Sequence, residues 1–244
     1  MLSNAPYRPY PPPRGPWVLA QTWSDLLFAH WPLPAEGLRP LLPSGLPLDT
    51  FDGMAWLGVV PFRMSGVHPR LVPSLPWLSA FPELNVRTYV TRDGRPGVFF
   101  FSLDAGNRVA VALARRLFLL PYFHARMLAV RGQEIAYLSE RRHRGAPPAR
   151  FAASYGPSGA AAIAPPGSLA YFLTARYCLY TVDGSGRLFR AEIDHLPWPL
   201  QPATATIAAN TMAAAHGIAL PKSPPLLHFA RRLEVHVWPL RPLG

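Results

Sequence analysis

The chain has 244 residues and a hydrophobic fraction of 50%, enough apolar material to bury a core and to exclude general disorder. Its formal net charge of +11 comes almost entirely from arginine, because Lys222 is the only lysine. A charge of this size permits contact with nucleic acid. The arginines are scattered, however, apart from the run at residues 141–144, and no basic stripe with interleaved aromatic residues is present. We therefore expect no nucleic-acid partner.

The sequence also argues against a membrane, metal or disulfide protein. No stretch is apolar for long enough to span a bilayer, and the N-terminus lacks the apolar segment of a signal peptide. Cys178 is the single cysteine, and the eight histidines show no paired spacing of a metal site. We expect a cytoplasmic protein without membrane contact, metal or cofactor, and self-association into a homo-oligomer is left open.

Composition divides the chain into two regions. Residues 1–16 are rich in proline, which predicts an extended, mobile N-terminal arm. Residues 17–244 show no internal repeat and no break in composition, so they predict a single domain. Within it, residues 17–31 indicate a strand or short helix and residues 54–62 a buried strand. Residues 66–80 contain three prolines and predict a long loop, of the kind that often covers a binding site.

Residues 81–90 form the most informative segment. Apolar side chains alternate with polar ones, so that Glu83, Asn85, Arg87 and Tyr89 point to one face. A half-exposed strand with its polar face in water would give the same pattern. The next strand, residues 96–104, follows an Asp-Gly turn and is too apolar on both faces to lie at an exposed edge. This favours burial of the polar face, and therefore a pocket.

Residues 107–120 have the apolar spacing of a helix that ends before Pro121. Tyr122, Phe123 and His124 follow directly, at a position suited to directing side chains into a cavity. A packed aromatic corner is the alternative reading of these three residues.

The remaining chain is dominated by strand signals. Two strands are predicted around residues 131–133, another at residues 150–154, a hairpin at residues 177–182 and 188–193, and a strand at residues 233–238. Helices are predicted at residues 168–175, with Ser168 as the N-cap, and at the alanine-rich residues 204–216. Many strands with few helices predict an α+β, mainly β fold, and a single β-barrel is the preferred architecture.

Two segments resemble the acetoacetate decarboxylase superfamily, namely residues 38–49 and residues 81–83. From about Trp17 to Trp238 the chain more closely resembles the uncharacterised bacterial YqjF-type family, which is placed in that fold. The segments that carry this resemblance are residues 28–31, 49–53, 83–89, 120–123, 176–180 and 197–200. The resemblance implies an acetoacetate decarboxylase-like β-barrel for residues 17–244.

The resemblance implies different chemistry from that of the decarboxylases. It places Glu83 at their acidic active-site position and Tyr122 where they carry the Schiff-base lysine. With a phenol at that place no iminium can form, so Schiff-base decarboxylation is not expected. The decarboxylase active-site arginine has no match near residues 30–32, and Ala175 stands where the YqjF-type pattern has an acidic residue.

We consider two functional hypotheses. In the first, the barrel cavity binds a small carboxylate or oxo-acid, as a binding protein or as a lysine-independent lyase or hydrolase. In the second, the barrel is a non-catalytic structural or partner-binding module, with Glu83 and Arg87 forming a buried salt bridge. Under the first hypothesis the candidate catalytic residues are Glu83, Tyr122 and His124, and the candidate ligand-binding residues are Asn85, Arg87 and Arg176.

Overall fold

The computed structural model describes residues 7–73 and 79–244. Within these ranges it contains thirteen strands, and strand is much more abundant than helix. The strands are β1 (Leu19–Leu33), β2 (Ala55–Pro69), β3 (Phe81–Arg92), β4 (Arg95–Ala105), β5 (Tyr122–Arg131), β6 (Ile135–Arg141), β7 (Arg150–Pro157), β8 (Ala162–Ile163), β9 (Cys178–Val182), β10 (Leu188–Asp194), β11 (Pro199–Asn210), β12 (Leu226–Val237) and β13 (Arg241–Pro242). The predicted mainly β fold is confirmed.

Helices are few and short in the described chain. They are α1 (Ala35–Leu38), α2 (Arg108–Phe118) and α3 (Leu169–Thr174), with 3₁₀ turns at Arg39–Leu41 and Ala214–His216. The Asn107 side chain caps α2 by accepting hydrogen bonds from the backbone N–H groups of Val109 at 3.0 Å and Ala110 at 3.1 Å. Across the described residues, none of the helices combines the length and apolarity needed to cross a membrane.

The strand pairings return on themselves in two circuits. Nine strands form the first, in the order β12, β1, β2, β3, β4, β5, β6, β7 and β11, which pairs again with β12. Seven strands form the second, in the order β10, β12, β1, β2, β3, β4 and β9, which pairs again with β10. Most pairs are antiparallel, but β4 runs parallel to both β5 and β9. Strand β3 belongs to both circuits, so both of its edges are hydrogen-bonded.

The hairpin between β3 and β4 follows from its turn residues. Asp93 and Gly94 both have positive φ, at 53° and 67°, as a two-residue type I′ turn requires. This turn sets the register in which Tyr89 pairs with Val98. A bulge between Val86 and Arg87 then shifts the pairing by one residue, so that Glu83 pairs with Ala105. The predicted hairpin is confirmed.

Strand β3 is buried on both faces. Leu84 and Val86 pack into the largest apolar cluster, and the opposite face carries the predicted polar residues. Of these, Glu83 is 2% exposed, Asn85 5% and Arg87 9%. The polar face therefore lies inside the protein and not in water, as the apolar character of β4 predicted.

Two sequence predictions fail in the C-terminal half and in the loop region. The helix predicted at residues 204–216 is wrong, because residues 199–210 form β11, which pairs with β7 and β12. Strand pairing here overrides the helix propensity of alanine. The loop predicted at residues 66–80 is shorter at its start, because β2 continues to Pro69. Its residues 74–78 lie outside the described residues.

The described part of the predicted N-terminal arm contacts β10. The Arg8 guanidinium donates to Asp194 Oδ1 at 2.6 Å and to the carbonyl oxygen of Ile193 at 2.8 Å. It also lies 4.6 Å from the centroid of the Tyr177 ring, as in a cation–π contact. Arg8 thus anchors this segment to β10, and the mobility of the arm itself stays a prediction.

Candidate functional site

A cavity of about 260 Å³ lies inside the seven-strand circuit, with α2 along one side. Each of the seven strands contributes lining residues, and most of the lining is apolar, as with Phe62, Phe100 and Trp198. The volume is slightly below the range typical of sites for drug-sized molecules, roughly 300–1,000 Å³, which suits a small ligand. Five of the six sequence-predicted site residues line this cavity: Glu83, Asn85, Arg87, Tyr122 and Arg176.

Glu83 and Tyr122 form a buried hydrogen-bonded pair. Tyr122 Oη donates to Glu83 Oε2 at 3.0 Å. The two residues lie on β3 and β5, which β4 separates. Leu103 of β4 pairs with both Asn85 and Tyr122, so the Tyr122 side chain reaches Glu83 diagonally, two residues along β3. Tyr137 Oη donates to the Glu83 carbonyl oxygen at 2.7 Å, which fixes the backbone beneath the carboxyl group.

The Glu83 carboxyl group is protonated at neutral pH. Burial raises its pKa to about 8, and the hydrogen bond from Tyr122 opposes that rise only in part. Burial, together with the adjacent Glu83, raises the pKa of Tyr122 well above its usual value. The pair therefore offers two O–H groups, and the Glu83 carboxyl group is poised to give or take a proton near neutral pH.

Arg87 is a buried cation without an acidic partner. Across the described chain no Asp or Glu forms an ion pair with it, and its single hydrogen bond runs from Nη2 to the Leu173 carbonyl oxygen at 3.4 Å. Its Nε is buried without a partner. The guanidinium lies 5.3 Å from the Phe28 ring centroid and 5.7 Å from that of Tyr89, which compensates a buried charge only weakly.

Gly58 makes room for this arginine. Gly58 on β2 pairs with Arg87 on β3 and with His30 on β1, so the three residues lie side by side across adjacent strands. A Cβ at Gly58 would lie 3.1 Å from the His30 ring and 3.4 Å from Arg87 Cγ. His30 is fully buried and its Nε2 lies 2.6 Å from Tyr89 Oη.

Asn85 and Arg176 also belong to the polar lining of the cavity, but only Arg176 has its polar groups paired. Asn85 Oδ1 is buried without a hydrogen-bond partner. Arg176, by contrast, is compensated: Nη1 pairs with Asp49 Oδ2 at 2.6 Å, and Nε donates to the Phe172 carbonyl oxygen at 2.6 Å. The unsatisfied polar groups of this wall are therefore on Arg87 and Asn85. The Glu83–Arg87 salt bridge of the second hypothesis does not occur among the ion pairs of the described residues.

His124 was predicted to act together with Glu83 and Tyr122, but it does not line the cavity. It lies on β5 two residues after Tyr122, about 7 Å along the strand, and lines a separate surface pocket. There Arg108 Nε donates to His124 Nε2 at 3.4 Å, and the His124 backbone N–H donates to His143 Nδ1 at 3.2 Å.

The sequence interpretation missed some of the cavity wall. His195 lines the cavity, with its ring stacked 4.6 Å from that of Tyr177, and burial lowers its pKa to about 4. His195 is therefore neutral, and no motif around it signalled a site. Leu113 and Leu117 of α2 also line the cavity, and their four-residue spacing was the available signal. Within the described ranges, no three His, Cys, Asp or Glu side chains are grouped to hold a metal ion.

Comparison with solved structures defines the class of fold. The chain superimposes on an acetoacetate decarboxylase with a TM-score of 0.62 and 15% identity, covering 95% of this chain and 90% of that one. It is similar to the enduracididine biosynthesis enzyme MppR complexed with pyruvate, with a TM-score of 0.62 and 13% identity over 95% of this chain and 92% of that one. The protein therefore has an acetoacetate decarboxylase-like fold.

Sequence comparison then gives the family. The model of DUF2071, described as an uncharacterized conserved protein, matches residues 20–234, and the chain belongs to this family. The chain is also 49% identical over 230 residues to the "Uncharacterized protein YqjF" of Bacillus subtilis (strain 168), with 94% of each chain covered. The resemblance identified from the sequence is confirmed.

Proposed function

We propose that the seven-strand circuit is a barrel whose cavity binds a small carboxylate or oxo-acid. The observation that carries this proposal is Arg87, a buried guanidinium on the cavity wall without an acidic partner. Arginine stays charged at all relevant pH values, and a buried charge requires compensation. Because Glu83 is protonated at neutral pH, it does not supply a counter-charge from within the cavity. A ligand carboxylate supplies it.

The unsatisfied groups also suggest how the ligand is oriented. Arg87 holds the carboxylate through its guanidinium fork, the geometry that arginine matches best. Rotation of the Asn85 amide turns its NH₂ toward the same carboxylate. The protonated Glu83 carboxyl group donates to the oxo oxygen while it accepts from Tyr122 Oη. This arrangement polarises a ligand carbonyl without forming a covalent bond to it.

The proposed chemistry does not use a Schiff base. Tyr122 occupies the place at which the resemblance puts the lysine, and Lys222, the only lysine in the sequence, is exposed and does not line the cavity. A lysine-independent lyase or hydrolase is the catalytic form of the proposal, with Glu83 as proton donor or acceptor. The pyruvate complex of MppR, a protein of the same fold, supports an oxo-acid as the ligand class.

Ligand-dependent stabilisation tests this proposal. A ligand that binds only the folded protein at a hundred times its Kd stabilises it by about 2.7 kcal/mol, which a thermal-shift measurement detects. We expect pyruvate or a related oxo-acid to raise the Tm of the wild-type protein, and the uncharged pyruvamide not to do so. Arg87→Gln should abolish the shift. Arg39→Gln, which removes an exposed arginine that does not line the cavity, should retain it.

Two results would contradict the proposal. One is the absence of any shift from a panel of small carboxylates and oxo-acids. The other is an equal shift in the wild-type and Arg87→Gln proteins, which would place binding elsewhere. Borohydride treatment in the presence of pyruvate should leave the protein mass unchanged, and a stable adduct on Lys222 would refute the lysine-independent chemistry.

A further inference from the structure

Helix α2 separates the cavity from a second concave feature on the protein surface. Leu113 and Leu117 line the cavity, whereas the other face of α2, together with β5 and residues 142–144, borders a surface pocket of about 680 Å³. In the described part of the chain no Asp or Glu lines this surface pocket. Its lining contains five arginines: Arg108, Arg115, Arg116, Arg142 and Arg144.

Most of these arginines lack a counter-charge. Arg142 pairs with Glu140 at 2.8 Å, but Glu140 is shared with Arg126 at 2.7 Å. The acid buried nearby, Asp104, is held by both nitrogens of the Arg141 fork at 2.8 and 2.9 Å. The other four arginines of the surface pocket form no ion pair within residues 7–73 and 79–244. The surface pocket therefore carries an uncompensated positive charge.

Part of the surface pocket is held in place by internal hydrogen bonds. Arg115 Nη1 donates to the Tyr122 carbonyl oxygen at 2.7 Å, and Arg108 Nε donates to His124 Nε2 at 3.4 Å. The pKa of His124 is lowered mainly by burial and next by the neighbouring Arg108. The pKa of His143 is likewise lowered mainly by burial and next by Arg115. Both lowered pKa values agree with the positive potential that the arginines create.

We propose that this surface pocket binds a phosphorylated small molecule through a diphosphate or triphosphate group. Guanidinium groups match phosphate oxygens bidentately. A terminal phosphate carries a charge of about −1.5 to −2 and each internal phosphate about −1, so a diphosphate compensates about three of the four unpaired arginines and a triphosphate about four. The arginines converge on one concave pocket and do not run in a stripe, which favours a compact anion over an extended nucleic acid. This site is independent of the carboxylate site in the cavity.

Calorimetric titration of the full chain with inorganic pyrophosphate at low salt tests the proposal. The test variant is Arg116→Gln combined with Arg144→Gln, because both side chains are exposed and neither forms an ion pair in the described structure. The control variant is Arg39→Gln combined with Arg231→Gln, which removes the same charge from exposed positions outside the surface pocket. We expect saturable binding that weakens by about tenfold or more in the test variant and by less than twofold in the control.

Other outcomes would overturn the proposal. The absence of saturable pyrophosphate binding would do so, as would equal weakening in the test and control variants, since that reports net charge alone. Vesicles of phosphatidylcholine with and without phosphatidylglycerol form a second arm, and duplex DNA forms a third. Binding to anionic vesicles or to DNA without binding to pyrophosphate would assign the arginines to a lipid surface or to nucleic acid. Unchanged pyruvate binding in the test variant would show that the loss of pyrophosphate binding does not arise from a change in the cavity.

Discussion

The buried Glu83 carboxyl group should make the stability of the protein fall as pH rises, and Glu83→Gln should remove that dependence. The folded-state pKa is about 8 and the ordinary value is 4.5, so between these values the folded protein holds a proton that the unfolded chain releases. Unfolding then releases a proton, and the free energy of unfolding falls by about 1.4 kcal/mol per pH unit. The contribution of Glu83 is complete below pH 4.5 and is lost as pH rises through 8.

The useful window for this experiment is pH 6.5 to 8.0. Below 6.5 the buried His195 and His216, whose pKa values burial lowers to about 4, give the opposite slope, because they bind protons only on unfolding. Above 6.5 the histidines of the unfolded chain progressively lose their protons, so this opposing slope fades across the window, over which the Glu83 contribution amounts to about 2 kcal/mol. Glutamine keeps the volume of Glu83 and an oxygen that accepts from Tyr122 Oη, but it does not titrate.

Urea unfolding followed by tryptophan fluorescence at pH 6.5 and 8.0 measures the effect. We expect the free energy of unfolding of the wild-type protein to drop by about 2 kcal/mol relative to that of Glu83→Gln over this interval. The comparison between the two proteins cancels all groups that the substitution leaves unchanged. Parallel pH profiles for the two proteins would refute the assignment of a protonated carboxyl group to Glu83.

Three further substitutions test the cavity. Arg87→Met should stabilise the ligand-free protein by about 1 kcal/mol or more, because it removes an unpaired buried charge, and a lower urea midpoint would contradict this. Tyr122→Phe should destabilise the protein by about 1–2 kcal/mol, because it removes the hydrogen bond to Glu83. This hydrogen bond lowers the pKa of Glu83 in the wild-type protein, so the pKa of Glu83 should be higher in the variant. Gly58→Ala should lower the free energy of unfolding in urea by about 1–3 kcal/mol and weaken oxo-acid binding, because the added Cβ would press on His30 and Arg87. Wild-type stability and wild-type oxo-acid binding in this variant would show that Gly58, His30 and Arg87 are loosely packed.

Local patterns in the sequence were sufficient for the elements around the site. The period-two alternation of residues 81–90 and the Asp93–Gly94 turn specify β3, β4 and their register from the turn to Arg87, and the structure has all three. The bulge that shifts the register by one residue between Val86 and Arg87 was not signalled. Helix α2 was also accessible, since its apolar spacing and the following Pro121 define it. These signals need only neighbouring residues.

The contacts that build the site come from residues far apart in the chain. Tyr122 reaches Glu83 because β5 lies parallel to β4, and His195 reaches the cavity because β10 pairs with β9 and β12. Parallel pairing and circuit closure leave no local signal in residue spacing. The alanine-rich segment at residues 204–216 shows the same limit, because its partners β7 and β12 decide its conformation.

Strand β3 has both edges paired in both circuits, and this bears on how the cavity responds to a ligand. Its amides should be among the slowest in the chain to exchange with solvent, because their exposure requires opening of the whole fold. We therefore expect Glu83, Asn85 and Arg87, three of the polar cavity residues, to lie on one of the most rigid parts of the molecule. A ligand would find these groups preorganised and would lose little of its binding free energy to ordering of the backbone.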